Sequence, residues 1–185
     1  MIFKNKQKSL NNDTLPQIKI NNKLIDKVSN IRYLGIYLDE DLSWTTHTNY
    51  TATKISKTIG ILNRLRNTLP ENILKTIYNS LINPYLHYCI LSWGPNNESQ
   101  TDRLFKLQKK AVRLITCSRF YAHTENLFKK LKILKIQDIF VLQQLKFYQK
   151  FIKNELPNCL TNFLTLQNPN VRACHTAFFL KLQKE

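Results

Sequence analysis

Apolar and polar residues alternate at the start of the chain and then change to a helical period. The segment QIKINNKLI holds two short alternating runs on either side of Asn21-Asn22. Asparagine tolerates the left-handed backbone of a tight turn, so a hairpin is expected there. IRYLGIYLDEDLSW, Ile31 to Trp44, follows. It reads as one strand from Ile31 to Asp39, an exposed turn at Asp39-Glu40-Asp41 and a tucked tryptophan. On a strand, Leu34, Ile36 and Leu38 point one way and Tyr33, Gly35 and Tyr37 the other. Neither face is strongly polar. A glycine inside a strand marks a bulge or a close approach of another backbone.

From about residue 46 the period is helical. Ala52, Ile55, Ile59 and Leu62 form one stripe, with Lys54, Lys57, Arg64 and Arg66 mainly elsewhere. Thr68 and Glu71 stand at capping-box spacing with Pro70 in the first turn of the next helix. Its stripe is Ile73, Leu74, Ile77, Tyr78, Leu81 and Ile82, and Pro84 interrupts it. The turn formers of SWGPNN, Ser92 to Asn97, make a break. A further helix is expected from about Ser99 to Cys117, with Ser99 and Asp102 again at capping-box spacing. Two more amphipathic segments lie around Leu127–Leu131 and Ile139–Ile152. After Pro157 the pattern weakens, leaving a short ordered piece near Ala177–Leu182.

The expected fold class is α+β and mainly helical: a short antiparallel β segment at the N-terminus followed by a bundle of amphipathic helices. Residues 1–45 form the β segment, 46–156 the helical part and 157–185 a poorly ordered tail.

Charge changes this picture most. Among 185 residues, Lys+Arg is 28 against Asp+Glu 12, a formal net charge of +16. Such a surplus points to a polyanion, nucleic acid or an anionic membrane surface, or else to a lysine-rich composition with no partner meaning. The Ser99–Cys117 helix sharpens the choice. At about 100° per residue, Arg103, Lys106, Lys109, Lys110 and Arg113 gather on one side, with Leu104, Leu107, Ala111, Leu114 and Ile115 mostly on the other. Only Asp102 can pair with any of the five from within the helix. The face suits phosphates, and it also fits a solvated face built from good helix formers. Downstream, Lys129, Lys130, Lys132, Lys135, Lys146, Lys150 and Lys153 meet a single internal acid, Asp138.

Catalytic and metal chemistry find few candidates. Cys89, Cys117, Cys159 and Cys174 form no C-x-x-C pair and read as buried free thiols of a reducing compartment. His47, His87, His123 and His175 are scattered, and Cys174-His175 lacks a second pair at ligand spacing. Three glycines cannot build a phosphate-cradling loop. Asp39, Glu40 and Asp41 are adjacent, and neighbours on a strand point to opposite faces, so they are read as a turn. No catalytic group, metal or cofactor is expected. No apolar run approaches a membrane span. The MIFKNKQK start has no apolar core of a signal peptide; its strand-like MIF hints at part of something larger.

IRYLGIYLDEDLSWTTH, KISKTIGILNRLR, IYNSLINPYLHYCILSWG, LFKLQKKAVRLIT and LFKKLKIL, taken in order, resemble the C-terminal part of the reverse transcriptase of jockey-like non-LTR retrotransposons. The most specific pieces are Tyr33-Leu34-Gly35, Leu42-Ser43-Trp44, Pro84-Tyr85, Trp93-Gly94 and Gln108-Lys109. The resemblance runs over roughly residues 1–155. It implies that the Y-L-G segment is the end of the palm, the primer grip. The Tyr33/Gly35/Tyr37 face would then lie toward the primer 3′ end, or else pack on a neighbouring helix. The following helices would be the thumb, holding an RNA–DNA or DNA template–primer duplex through its backbone. The family's aromatic-x-Asp-Asp motif lies upstream of the Y-L-G strand, and this chain has no Asp-Asp pair. Polymerisation by the chain alone is therefore not expected, and a truncated element, nuclear or cytoplasmic inside the cell, is the reading. The alternative is an interaction remnant that binds another chain or self-associates through exposed apolar surface. An enzyme in its own right would need a catalytic group not found here.

Overall fold

The computed structural model describes residues 1, 3, 18–94 and 98–160, without the side chains of 98 and 99. Ile2 of the MIF start, the end of the SWGPNN break, Cys174, His175 and the Ala177–Leu182 piece lie outside the described residues. The described chain is α+β and mainly helical, as the sequence pattern implies.

Two antiparallel hairpins come first. Strands β1 (Lys19–Ile20) and β2 (Lys23–Leu24) pair across Asn21-Asn22, which sit at φ 49° and 61°. Two successive left-handed residues reverse the chain with the twist a two-residue loop requires. The next segment departs from expectation. Ile31–Asp39 is not one strand but a second hairpin, β3 (Asn30–Tyr33) against β4 (Ile36–Asp39). Its loop is Leu34-Gly35 at φ 46° and 84°. Gly35 thus marks a chain reversal, where the missing Cβ makes positive φ inexpensive. A Cβ there would also approach the Tyr88 ring at 3.6 Å, and the Tyr88 hydroxyl donates to Leu34 O.

The acidic turn differs as well. Asp39 is buried, not exposed. Its Oδ2 accepts from Ser43 Oγ at 3.1 Å and from the Thr46 N–H at 3.2 Å. Helix α1 (Thr45–Leu65) begins here, and its N-cap Trp44 offers no side-chain acceptor. The Asp39 carboxylate fills that role from seven residues away, a favourable place for negative charge.

Helix α1 buries Ala52, Ile55, Ile59 and Leu62, the expected stripe. Helix α2 (Glu71–Leu81) starts after Pro70 and carries no side-chain cap, so the Thr68–Glu71 capping box is not formed. Thr68 lies two residues before the N-cap and closes a turn on Leu65 O instead. Glu71, free of that role, meets Lys130 at 2.6 Å. After Pro84 the path breaks into α3 (Asn83–His87) and α4 (Ile90–Trp93). Helix α5 (Glu98–Ile115) begins before Ser99, which therefore sits inside the first turn instead of capping it. Helices α6 (Glu125–Leu131) and α7 (Ile136–Ile152) complete the order.

With three glycines in the chain, helix ends take left-handed residues of other kinds. Cys117 follows α5 at φ 49°, with Ser118 N–H donating to Arg113 O and Cys117 N–H to Leu114 O. That is the Schellman pattern that closes orphan carbonyls. Lys132 after α6 and Asn154 after α7 repeat it.

The core draws Ile55 and Leu62 from α1, Leu74 and Tyr78 from α2, Trp93 from α4 and Leu104 and Ile115 from α5. Gln108 is fully buried among them. Its Nε2 donates to Tyr78 Oη and Leu134 O, both at 2.8 Å, while its Oε1 accepts the Ile136 N–H at 3.0 Å. A buried amide is tolerated because each of these groups finds a partner. Gly94 is required by packing: a Cβ would stand 2.6 Å from Ile90 O and 3.1 Å from Phe140 Cδ2.

The expectation of buried cysteines is corrected for the described ones. Cys117 and Cys159 are exposed and Cys89 is half-buried, all as free thiols. Cys117 is drawn to the surface by its place at the end of α5. Two compact units are distinguished, Met1–Gln143 and Gln144–Glu185. The elements from β1 to α6 lie in the first. The described part of the second is the remainder of α7 and a single helical turn near residue 159.

Candidate nucleic-acid interface

The basic residues of α5 stay together. Leu104, Gln108, Ala111, Val112 and Ile115 are buried. Arg103, Lys106, Lys109, Lys110 and Arg113 occupy the opposite arc, about 120° wide at 100° per residue. Arg103, Lys106 and Lys110 are exposed, and Lys109 and Arg113 are half-buried. Among the described residues no carboxylate forms an ion pair with any of the five.

Their neighbours divide the five into distinct situations. Arg103 Nη1 donates to Asn49 Oδ1 of α1. Lys109 Nζ lies 4.1 Å from the centroid of the Phe105 ring, a cation–π contact that leaves the charge in solvent. Arg113 Nε donates to Ala122 O at 3.0 Å, so part of its guanidinium secures the loop after α5. Lys106 and Lys110 remain the most available cations of the face.

A groove runs along the seam between α1 and α5. Its cavity, about 430 Å³, is lined by Ser56, Gly60, Asn63 and Arg66 on one side and by Lys110, Arg113 and Ser118 on the other, with Phe120 at its edge. A Cβ added to Gly60 would meet nothing within 4 Å. The sequence pattern sets Arg66 only off the α1 apolar stripe. Only the packing of α1 on α5 brings it beside Lys110 and Arg113. No periodicity could have revealed this, because the two helices are separated by more than thirty residues.

The second candidate set does not share a face. In the β3–β4 register Arg32 stands opposite Tyr37 and Tyr33 opposite Ile36. Tyr33 and Tyr37 therefore point to opposite sides of the hairpin, with Gly35 in the loop between them. Tyr33 is exposed. Tyr37 is half-buried, its ring 5.1 Å from that of Tyr50 and 5.9 Å from the Arg32 guanidinium. The grouping of Tyr33, Gly35 and Tyr37 on one surface is thus corrected. The cause is the turn, which reverses strand direction between the tyrosines.

The later lysines are less isolated than their local sequence implies. Lys130 pairs with Glu71, and Lys135 with Glu125 at 2.6 Å. The hydrogen bond from Lys135 holds the Glu125 carboxyl below its ordinary range. Two buried groups titrate abnormally. Burial pushes the Tyr78 hydroxyl up to about 12, with the Gln108 hydrogen bond opposing. Burial lowers the His47 imidazole, with the Asp39 charge opposing. Both ring nitrogens of His47 lack partners among the described residues, and the ring lies 5.6 Å from that of Trp93. Among the described residues no three His, Cys, Asp or Glu side chains converge as metal ligands. No described helix is long and apolar enough to cross a membrane.

A mainly helical α+β module with a cationic helix flank is the class of protein these features define. Its relatives are polymerases of mobile elements. The chain is 30% identical over 155 residues to an RNA-directed DNA polymerase from the mobile element jockey of Drosophila melanogaster, covering 80% of this chain and 16% of that protein. It is 29% identical over 126 residues to the corresponding jockey polymerase of Drosophila funebris, 66% of this chain and 14% of the relative. A probable RNA-directed DNA polymerase from transposon BS of Drosophila melanogaster is 27% identical over 135 residues, 71% and 15% of the two chains. The chain is therefore similar, over most of its length, to RNA-directed DNA polymerases of jockey-like and other non-LTR retrotransposons. It spans about a sixth of the length of these relatives. No family model and no solved structure matches it.

Proposed function

We propose that the chain is a nucleic-acid-holding segment of a non-LTR retrotransposon reverse transcriptase. It grips template–primer duplex, RNA–DNA or DNA, and does not supply the catalytic aspartates. The observation that carries this reading is the α5 face: five cations on one arc, without ion pairs among the described residues. Phosphate contacts of that kind hold a duplex without reading its sequence. In this reading residues 1–45 are the end of a palm and 46–156 a thumb-like part. The β3–β4 hairpin, with exposed Tyr33 and the Leu34-Gly35 loop, faces the primer end. The segment works inside the cell, in nucleus or cytoplasm.

The test is the salt dependence of hybrid-duplex binding. Replacing Arg103, Lys106, Lys110 and Arg113 by Gln is expected to flatten the slope of log K against log salt. The change should approach about 0.9 per lost phosphate contact. Equal affinity of the variant at every salt concentration would refute the assignment. Extension of a primed RNA template by this chain alone should read zero.

A second reading has its own observation. Ile20, Leu24, Ile31, Tyr33 and Leu34 of the two hairpins are all exposed, and exposed apolar surface promotes association. Sedimentation without nucleic acid separates the two: self-association that persists at high salt favours this reading, a clean monomer the first.

A further inference from the structure

We infer that the α1–α5 groove takes a single-stranded segment of nucleic acid, with a base stacked on the Phe120 ring, which Tyr121 supports edge to face, and its phosphate held by Arg66, Lys110 and Arg113. The inference rests on the proposed function and adds to it a groove that shares Lys110 and Arg113 with the α5 face, together with a strand type.

The aromatics are the first reason. Phe120 is 70% exposed and Tyr121 88% exposed, so neither contributes to the core. Their rings meet edge to face, with centroids 5.0 Å apart and planes at 90°. Two adjoining exposed rings make a contiguous apolar patch of the kind that marks an interaction surface. The loop that displays them is well tied. Thr116 Oγ1 and Ser118 Oγ lie 2.8 Å apart, Ser118 N–H donates to Arg113 O, and Ala122 N–H donates to Arg119 O, each at 3.0 Å. Arg113 adds its bond to Ala122 O. A platform held this way loses little conformational freedom when a ligand arrives.

The second reason is where the platform stands. Phe120 borders the groove in which Arg66, Lys110 and Arg113 bring three positive charges together, with the polar side chains of Ser56, Asn63 and Ser118 beside them. Gly60 keeps the α1 wall bare. Cations along a groove with an aromatic ring in its wall form the combination that binds single strands. Every base has a face to stack, and every nucleotide a phosphate to neutralise. A duplex presents its bases already stacked, so it cannot use Phe120 and Tyr121 in this way.

Lys106 and Lys109 lie on the same helix outside the groove lining. They provide the contrast the test needs. Fluorescence anisotropy would follow labelled 12-nucleotide single strands, oligo(U) RNA and oligo(dT) DNA, and an RNA–DNA hybrid duplex. The proteins are the unmodified chain, the double variant Phe120→Ala/Tyr121→Ala and the double variant Lys106→Gln/Lys109→Gln. The aromatic variant is expected to lose about 5- to 150-fold in single-strand affinity, the range for removal of a base-stacking ring. Its hybrid-duplex affinity should change less than twofold. Both exposed rings can be removed without disturbing the core, and circular dichroism checks this. The lysine variant should lose more on the duplex than on the single strand. Equal losses of the aromatic variant on both ligands, or none on the single strand, would overturn the inference while leaving the proposed function standing. An unmodified chain that binds neither ligand would remove both. Comparison of the two oligonucleotides assigns the strand to RNA or DNA.

Discussion

The β3–β4 hairpin and helix α5 both have an apolar and a polar side, and they meet opposite fates. Leu104, Ala111, Val112 and Ile115 of α5 are buried against neighbouring helices, and the cations take the outer arc. In the hairpin, Ile31, Tyr33 and Leu34 stay in water, while Ile36 and Leu38 of the second strand are half-buried against the core. One element is finished within this chain. The other covers only the β4 half of its apolar side and leaves the β3 half in water. A helix satisfies its own backbone and needs only one covered stripe. A two-stranded hairpin has little stability by itself and relies on what it packs against.

The largest effect separating the two regions should come from Gln108→Leu. It strands the Tyr78 hydroxyl and the Ile136 N–H in the core, at about 1–3 kcal/mol for each unsatisfied group. Urea denaturation should show a loss of at least about 2 kcal/mol, and near-native stability would mean that water replaces the amide. Next comes Gly94→Ala. Its new Cβ would press on Ile90 O and Phe140, and overpacking of this kind costs about 1–3 kcal/mol. A rise in melting temperature would contradict the packing described.

A smaller effect depends on pH. Burial depresses His47 below its ordinary value of 6.5. Below that value the unfolded chain takes up a proton that the folded chain resists. Stability is therefore complete above pH 6.5 and declines as pH falls toward the folded value. Denaturation midpoints taken from pH 7 to about pH 5 should fall in the natural chain. His47→Leu should flatten that decline, and an unchanged decline would move its cause to other groups. The smallest effect belongs to the hairpin: Tyr33→Ser should shift stability by no more than about 0.5 kcal/mol. A loss as large as that of Gly94→Ala would mean that the β3 half of the apolar side is covered after all, and would erase the contrast.

Several elements were legible from pattern alone. The Asn21-Asn22 turn follows from residues that tolerate positive φ, and the α1 stripe from spacing. The α5 cations share a face because 100° per residue is a local property, unaffected by what packs nearby. The expected capping boxes failed for an equally local reason. Each helix began at a different residue from the one assumed, and a box displaced by a residue or two loses its geometry. The Tyr33–Gly35–Tyr37 face failed because alternation holds only while a strand continues. Gly35 carried the needed signal, since glycine serves turns as readily as bulges.

Hydrophobic period, charge excess and turn chemistry, all written along the chain, were enough to establish a mainly helical α+β protein with one cationic helix face. Packing alone made Asp39 the cap of α1, enclosed Gln108 between three segments, and set Arg66 beside Lys110 and Arg113. The first joins the end of a strand to the start of the next helix, and the other two join residues distant in sequence. Helical and strand periods relate near neighbours only, so contacts across the fold arise when elements bury their apolar sides together.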